Sequence, residues 1–550
     1  MKNHSLGIGL AALFALTSAL AAQGGMGTAE ADLREARHRN GDTGAPLSDA
    51  ETARQYMLAA VQGVASAQTN LGLYYTIGRG VPQSYTEAVK WFRLAAEQGH
   101  AISQCNLGVC YRNGQGVEQS HTEALKWFRL AAEQGESRAQ SLMGVSFMTG
   151  QGVAQDYAEA AKWFKLAADQ GQAIAQCNLG LCYKNGLGVP QSYTEAVKWY
   201  KLAAAQGDAR AQSFLGICYA SAQGVEQDYT EAVRLFKSAA YQGDHIAQCN
   251  LGFCYQYGHG VPQSDAEAVK WYKLSADQGD DVAQYNLGSC YEDGQGIPQN
   301  YTEAARWFRL AAEQGYAAAQ CKLGFCYAHG RGIAQDDAEA VRWYKLAAAQ
   351  GDATAQYKLG TCYECGQGVA RSLTEALKWY KLAADRGDAT AQCRLGICYE
   401  CGRGVEQNCT EALRWYKLAA DRGDAAAQCF LAFCHEYGQS VTQSFAEALR
   451  SYKLALEQGS DTACYYLGLH YAYAEYGRAA GQDAAEDSQR YKLAIERGSH
   501  IAHYYLGLCY AYGRGVKENR AEGIHLLRRA YSMGISAAAE ALRKMGESPD

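Results

Sequence analysis

Proline is nearly missing from this chain, with six residues in 550. Helices can therefore run without the breaks that an interior proline forces. Cysteine is absent before Cys105, so no lipid-acceptor thiol stands near the N-terminus. Charge of one sign is not in excess. Lys and Arg number 51 against 57 Asp and Glu, a net charge of −6. That balance offers no basic face of the size phosphate neutralisation needs, and it argues against a nucleic-acid partner. Beyond the first twenty or so residues, no apolar run is long enough to span a bilayer. The early run, Leu6 to Leu20, follows Lys2 and His4 and ends in Ala19-Leu20-Ala21, a small-x-small cleavage pattern. These features predict a signal peptide over residues 1–21 and a linker over 22–28. They also predict a periplasmic or secreted protein with no membrane span after cleavage.

What the chain does have is a period. Twelve times a Gly is followed eight residues later by Leu, nine later by Gly or Ala, and twelve later by Tyr, or once Phe or His. The opening glycines run from Gly63, Gly99, Gly135 and Gly171 to Gly459 in steps of 36, and Met143 replaces the Leu once. A period in this range marks stacked supersecondary units, so one array can absorb a length that would otherwise suggest several domains.

One unit, Gly99 to Gln134, reads as two helices. Ser103, Leu107, Cys110 and Tyr111 form a helical stripe, and Asn113-Gly114-Gln115-Gly116 breaks it. Ser120-x-x-Glu123 then has the form of a capping box, and Ala124, Leu125, Trp127, Phe128 and Leu130 continue as a second amphipathic helix. The same box is expected at Ser84/Glu87, Asp156/Glu159, Ser192/Glu195 and their equivalents through Ser444/Glu447. Gly72, Gly108 and Gly180 fall inside the first helix, where Gly costs about 1 kcal/mol against Ala. Close approach of a neighbouring helix is the expected reason. The prediction is an all-α fold, an α/α superhelical solenoid of about thirteen 36-residue two-helix repeats. It has a degenerate first repeat over 29–62, the array over 63–533, and a capping helix and tail over 534–550. The step from Gly459 to Gly498 is three residues too long, with the excess near Ala474 to Gly477. Arg543 stands where other units have the mid-helix Gly, which suits a helix with nothing stacked upon it.

The string Leu71-Gly72-x-x-Tyr75-x-x-Gly78-x-Gly80-Val81, followed by Glu87-Ala88-x-x-Trp91-x-x-x-Ala95-Ala96, resembles the Sel1-like repeat family. The resemblance covers nearly everything from about residue 29 to 546. It implies a solenoid whose first helices line the concave face, and roles as adaptors or scaffolds between proteins rather than as enzymes. A cysteine-rich branch of the family pairs a Cys near the end of the second helix with one in the next first helix. Some members of that branch carry a β-lactamase or penicillin-binding label. Here that second-helix position holds Ala96, Ala132 and equivalents through Leu456, which removes the implied staple. A β-lactamase-like or cell-wall hydrolase is therefore the alternative function, resting on the label alone.

Twenty cysteines in an exported chain raise the question of disulfides. Ten of them, such as Cys110 and Cys182, sit eleven after the opening Gly on the buried stripe, and six, such as Cys105 and Cys177, sit five residues earlier on another face. Such a pair within one helix is too far apart to bridge. Most are read as small buried hydrophobes. If a disulfide forms, the pair to expect is Cys401 with Cys409, across the turn between two helices. Cys362-x-x-Cys365 and Cys398-x-x-Cys401 recur by copying, and a zinc site is not expected from them. All nine tryptophans share one slot of the second helix, which reads as packing rather than a stacking platform. No catalytic motif, phosphate loop or cofactor signature is legible, so neither catalytic residues nor cofactors are predicted.

Helical spacing puts the slots six, ten and thirteen after each Gly opposite the buried stripe. They vary from unit to unit, which points to a protein or peptide partner. The partner-binding residues predicted on this concave face are Arg112, Lys184, Phe253, Tyr285, Phe325, Tyr357, Glu364, Glu400 and Phe433. The competing reading is that these side chains only pack against the neighbouring first helix. A second period also appears, since Cys105, Cys177, Cys249, Cys321 and Cys393 recur every 72 residues, as if pairs of units had been copied.

Overall fold

The structure is a computed structural model and describes residues 48–466, 484–513 and 516–549. The expected signal peptide, the linker, residues 29–47 of the degenerate repeat and the insertion near Ala474 to Gly477 lie outside the described residues. Every regular element among the described residues is a helix, and nearly all are 13 residues long. Two compact units divide the chain, residues 1–280 and 281–550. The described helices run from Asp49–Val61 to Asp265–Asp277 in the first unit and from Asp281–Asp293 to Ser536–Lys544 in the second. In both, consecutive helices pack on each other, the first and second helix of one repeat most extensively. Below, a repeat is named by its opening glycine, counted as slot zero.

In the Gly99 repeat the first helix is Ala101–Asn113 and the second is His121–Glu133. Gly114 takes the left-handed conformation that ends the first helix (φ 69°), as Gly does at most equivalent positions. The chain then turns back, and the Ser120 N–H donates to the Tyr111 carbonyl at 2.9 Å. The capping box forms only in part. Ser120 Oγ accepts from the Glu123 N–H at 3.2 Å, but the Glu123 carboxylate accepts from Lys126 Nζ at 2.6 Å instead of closing on the cap. The basic residue one turn on draws the Glu away, and the same pair recurs at Glu87/Lys90 and Glu195/Lys198. Both halves of the box are present at Ser48/Glu51.

The first helix is thin at its centre for a specific reason. A Cβ on Gly108 would lie 2.6 Å from the Phe128 ring, and one on Gly180 would lie 2.6 Å from the Tyr200 ring. The aromatic of the second helix thus rests on bare helical backbone, which confirms the expected close approach. Around that contact the core repeats, as in Ala160, Phe164, Ala167, Ala175, Leu179 and Cys182.

Adjacent repeats are tied by a glutamine that the sequence reading had not singled out. Gln176 at slot five is buried, its Nε2 donates to the Ala168 carbonyl of the preceding repeat at 3.2 Å, and its Oε1 accepts from Gln206 Nε2 at 2.8 Å. The same two bonds hold Gln104, Gln140, Gln248 and Gln320. Arg386 and Arg422 replace the donating Gln in two repeats of the second unit, and there the buried Oε1 of Gln356 and Gln392 has no partner. Gln428 is likewise left, because Gln458 turns toward Gly423.

Two substitutions test this packing. Gly180→Ala, although Ala is the better helix former, is expected to cost about 1–3 kcal/mol through overpacking against Tyr200, read as a lower urea midpoint. Arg386→Gln is expected to restore the bond to Gln356 and add about 0.5–1.5 kcal/mol, read as a higher midpoint. Unchanged midpoints would contradict the two contacts.

Candidate interaction face

The second helices present a monotonous surface. Most repeat a Glu–Lys or Glu–Arg pair one turn apart, from Glu87/Lys90 to Glu411/Arg414. The next basic residue reaches the slot-twelve Tyr of the following repeat, as Arg93 Nη2 does to Tyr111 Oη at 2.8 Å and Lys201 does over the Tyr219 ring at 5.8 Å. An exposed Leu follows in most repeats, from Leu94 to Leu454. The tryptophans lie between repeats. Trp307 and Trp415 are buried, and the others, such as Trp163 and Trp199, are half-buried against the preceding core. They pack, as expected, at the seam and not in the centre.

The first helices differ from repeat to repeat, and there the predicted partner residues divide. Phe253 lies against Tyr257 at 4.5 Å, Phe325 against His329 at 4.1 Å and Phe433 against Tyr437 at 4.4 Å, all three half-buried at a solvent edge. Tyr285 and Tyr357 are half-buried against Phe308 and Tyr380, each at 5.8 Å. Arg112 is half-buried and Lys184 is buried. Glu364 and Glu400 have a structural task, for the Tyr380 hydroxyl donates to Glu364 at 2.7 Å and the Tyr416 hydroxyl to Glu400 at 2.6 Å. Burial holds both phenols above their usual range. These glutamates satisfy phenols that would otherwise be orphaned. Tyr200, with Lys184 at the equivalent slot, is left without a partner for its hydroxyl.

Slot six does not face outward. Cys105, Cys177, Cys249, Cys393 and Cys429 are buried and Cys321 is half-buried. The expectation of an outward cysteine row fails because that slot points at the start of the next repeat's first helix. Ser213 Oγ, in the same slot, donates to Asp244 Oδ1 of the following repeat at 2.6 Å, and Cys429 Sγ lies 3.5 Å from Ser460 Oγ. Spacing within one helix cannot reveal a neighbour on its other side. Cys401 and Cys409 are both exposed and both free. The turn explains it, since Asn408 bonds back to Tyr399 and Gln407 to Glu400. That register places Cys401 and Cys409 about three residues out of step. In the Cys-x-x-Cys pairs, Cys362 and Cys398 are buried while Cys365 and Cys401 are exposed. Among the described residues no three His, Cys, Asp or Glu side chains stand close enough to share a metal ion, and no helix is long and apolar enough to cross a membrane.

Slots three and seven are the positions that reasoning from the sequence missed. In the first unit they hold Asn106, Arg138, Asn178 and Arg210, and in the second Lys322, Lys358 and Arg394. Lys322 pairs with Glu292 at 2.5 Å, and Lys358 lies over the Phe325 and Tyr357 rings at 5.9 and 5.7 Å. Arg331 covers Phe325 at 5.1 Å. The signal available in the sequence was variation itself, since these slots change while their neighbours are copied.

Comparison with known proteins agrees with this architecture. The family model described as the Sel1 repeat matches twelve times, contiguously from 65–100 to 425–460 and again at 500–535. A protective antigen from uropathogenic Escherichia coli displaying an SLR fold is 32% identical, covering 84% of this chain and 97% of its own, with a TM-score of 0.63. A Sel1 repeat protein from Oxalobacter formigenes is also 32% identical, covering 56% of this chain and 89% of its own, with a TM-score of 0.41. No curated protein matches the chain.

The thiols give a direct check of slot burial. Brief alkylation of the native protein is expected to modify Cys365, Cys401 and Cys409, the three exposed cysteines, before the rest. Burial pushes the Cys105 and Cys182 thiols up to about 12, so few thiolates are available there. Peptide mass mapping reads the order, and prompt native labelling of Cys105 would contradict the assignment.

Proposed function

The chain belongs to the Sel1 repeat family, and on that premise we propose that it is an exported scaffold whose first-helix faces hold a protein or peptide partner. Sel1 repeat solenoids typically serve as scaffolds for protein–protein interaction. The observation that carries the reading is the division of labour between slots. Second-helix surfaces repeat one pattern, whereas the half-exposed edges of the first helices change in charge and aromatic content from repeat to repeat. A surface that only stacks has no need of such variety, whereas selective recognition does.

Export is supported by Lys2, the apolar run to Leu20 and the Ala19-Leu20-Ala21 site. The similar Escherichia coli protein is described as a protective antigen, which also supports a periplasmic or secreted location. A scaffold has no need of turnover, and a nitrocefin assay on the purified protein is the direct check on the hydrolase label carried by the cysteine-rich branch.

The interaction is tested with the double variant Phe325→Ser, Phe433→Ser in the second unit. Both rings sit at a half-buried edge. Crosslinking in intact cells followed by pull-down is expected to lose partners while helical content is kept. An unchanged partner set with an intact fold would overturn the proposal.

A further inference from the structure

Taking the first-helix face as the binding surface, which rests on the proposal above, we infer that in the first unit it takes an extended acidic peptide at two equivalent cationic stations. Asn106, Arg112 and Arg138 form one station, and Asn178, Lys184 and Arg210 form the other, each residue 72 positions further on. Each station uses slots seven and thirteen of one repeat and slot three of the next, so it spans two neighbouring first helices. The pairwise copying that set the cysteine rhythm therefore also duplicated a cluster of charge.

At the first station Arg138 Nη1 donates to Asn106 Oδ1 at 3.0 Å. Arg112, whose Nε donates to Asn113 Oδ1 at 3.2 Å, is held below its usual range by burial and then by the Arg138 charge. Two guanidinium groups thus stand near enough to repel. At the second station Lys184 is 9% exposed and makes no ion pair among the described residues. Its ammonium lies 5.5 Å from the centre of the Phe214 ring. Asn178, 2% exposed on the same helix, has an Nδ2 with no hydrogen-bond partner. A buried cation without a counter-charge and a buried amide without an acceptor are both costly. A carboxylate beside the Lys184 ammonium would relieve the first cost.

The acids nearby are committed to helix starts, and Asp244 also feels the Arg210 charge. Asp208 accepts from the Ala211 N–H at 2.8 Å, Asp244 accepts from the Ala247 N–H and from Ser213, and Glu136 caps the Ala139 N–H. Around the stations the accessible apolar residues at slots three and ten are Ile102, Val145, Ile174 and Ile217, with Val109 and Leu181 buried. First helices of neighbouring repeats lie about one helix diameter, roughly 10 Å, apart, so stations two repeats apart are separated by about 20 Å. An extended chain covers that in about five or six residues. The matching sequence is acidic residues at that interval with apolar residues between. A continuous phosphate backbone would instead set charge against the apolar rows.

The test selects phage-displayed random dodecapeptides on the full-length protein and compares capture by wild type, by Arg138→Gln with Lys184→Gln, and by Phe325→Ser with Phe433→Ser. Arg138→Gln alone, at a half-buried side chain, serves if the pair impairs folding. The expected result is enrichment of acidic–apolar peptides. Binding of the synthetic consensus peptide, by fluorescence anisotropy, should weaken about tenfold or more in the Arg138 and Lys184 variants and fall with added salt. Enriched peptides that are not acidic and depend on Phe325 and Phe433 would overturn this inference and leave the scaffold proposal standing. Peptides whose capture survives both pairs of substitutions would overturn both. Binding of a single-stranded oligonucleotide at Arg138 and Lys184, in place of acidic peptides, would also overturn the inference.

Discussion

The contact on which most repeats depend is an aromatic ring lying on bare helix, with Ala432 and the Gly507–Leu527 pair as exceptions. At Gly108, Gly180 and their equivalents the first helix has no side chain, and the Phe or Tyr of the second helix fills the space a Cβ would need. Replacing that Gly with Ala would favour the isolated helix and crowd the pair. The local cost is accepted because it brings the two axes close and leaves the rest of the first helix to meet its neighbours. The alanines around the ring follow from the same closeness, since larger side chains would hold the helices apart.

Once the pair is set, apolar packing and a recurring polar bond together link one repeat to the next. The slot-five Gln bonds to the end of the preceding second helix and receives a bond from the end of its own. A seam satisfied in this way tolerates little variation, because a lost partner leaves a buried amide atom stranded. Gln356 and Gln392, opposite Arg386 and Arg422, show what happens when the donor changes. The outer slots of the first helix are under less of this demand, although Glu364 and Glu400 still serve buried phenols. They carry Arg in one repeat, Phe in another and Thr in a third, and recognition can be written there.

The period made the fold legible, because every copy restates the same turn glycines, helix starts and apolar spacing. The site was legible only in part. Phe325 and Phe433 could be picked from one-helix geometry, and both are half-buried. Cys105 and Cys177 could not be placed, because what buries them is the start of the next repeat. Glu364 and Glu400 looked like surface charge, yet each accepts a bond from a buried phenol twenty residues or fewer along the chain. The slot-five Gln escaped notice for a similar reason, since a polar side chain in an amphipathic helix reads as solvent-facing until its two partners are in view. Asn178 and Lys184 lie six residues apart in sequence, and only the fold shows that both are buried.

The central claim is that the first-helix face, and not the uniform second-helix surface, meets the partner. The most direct measurement places a photo-crosslinking amino acid, one position at a time, at Ile102, Ile174 and Thr354 on first helices and at Leu94, Leu166 and Leu346 on second helices. Irradiation in the cells that make the protein should then trap a partner from the first set and not from the second. Crosslinks confined to the leucine positions would contradict the account.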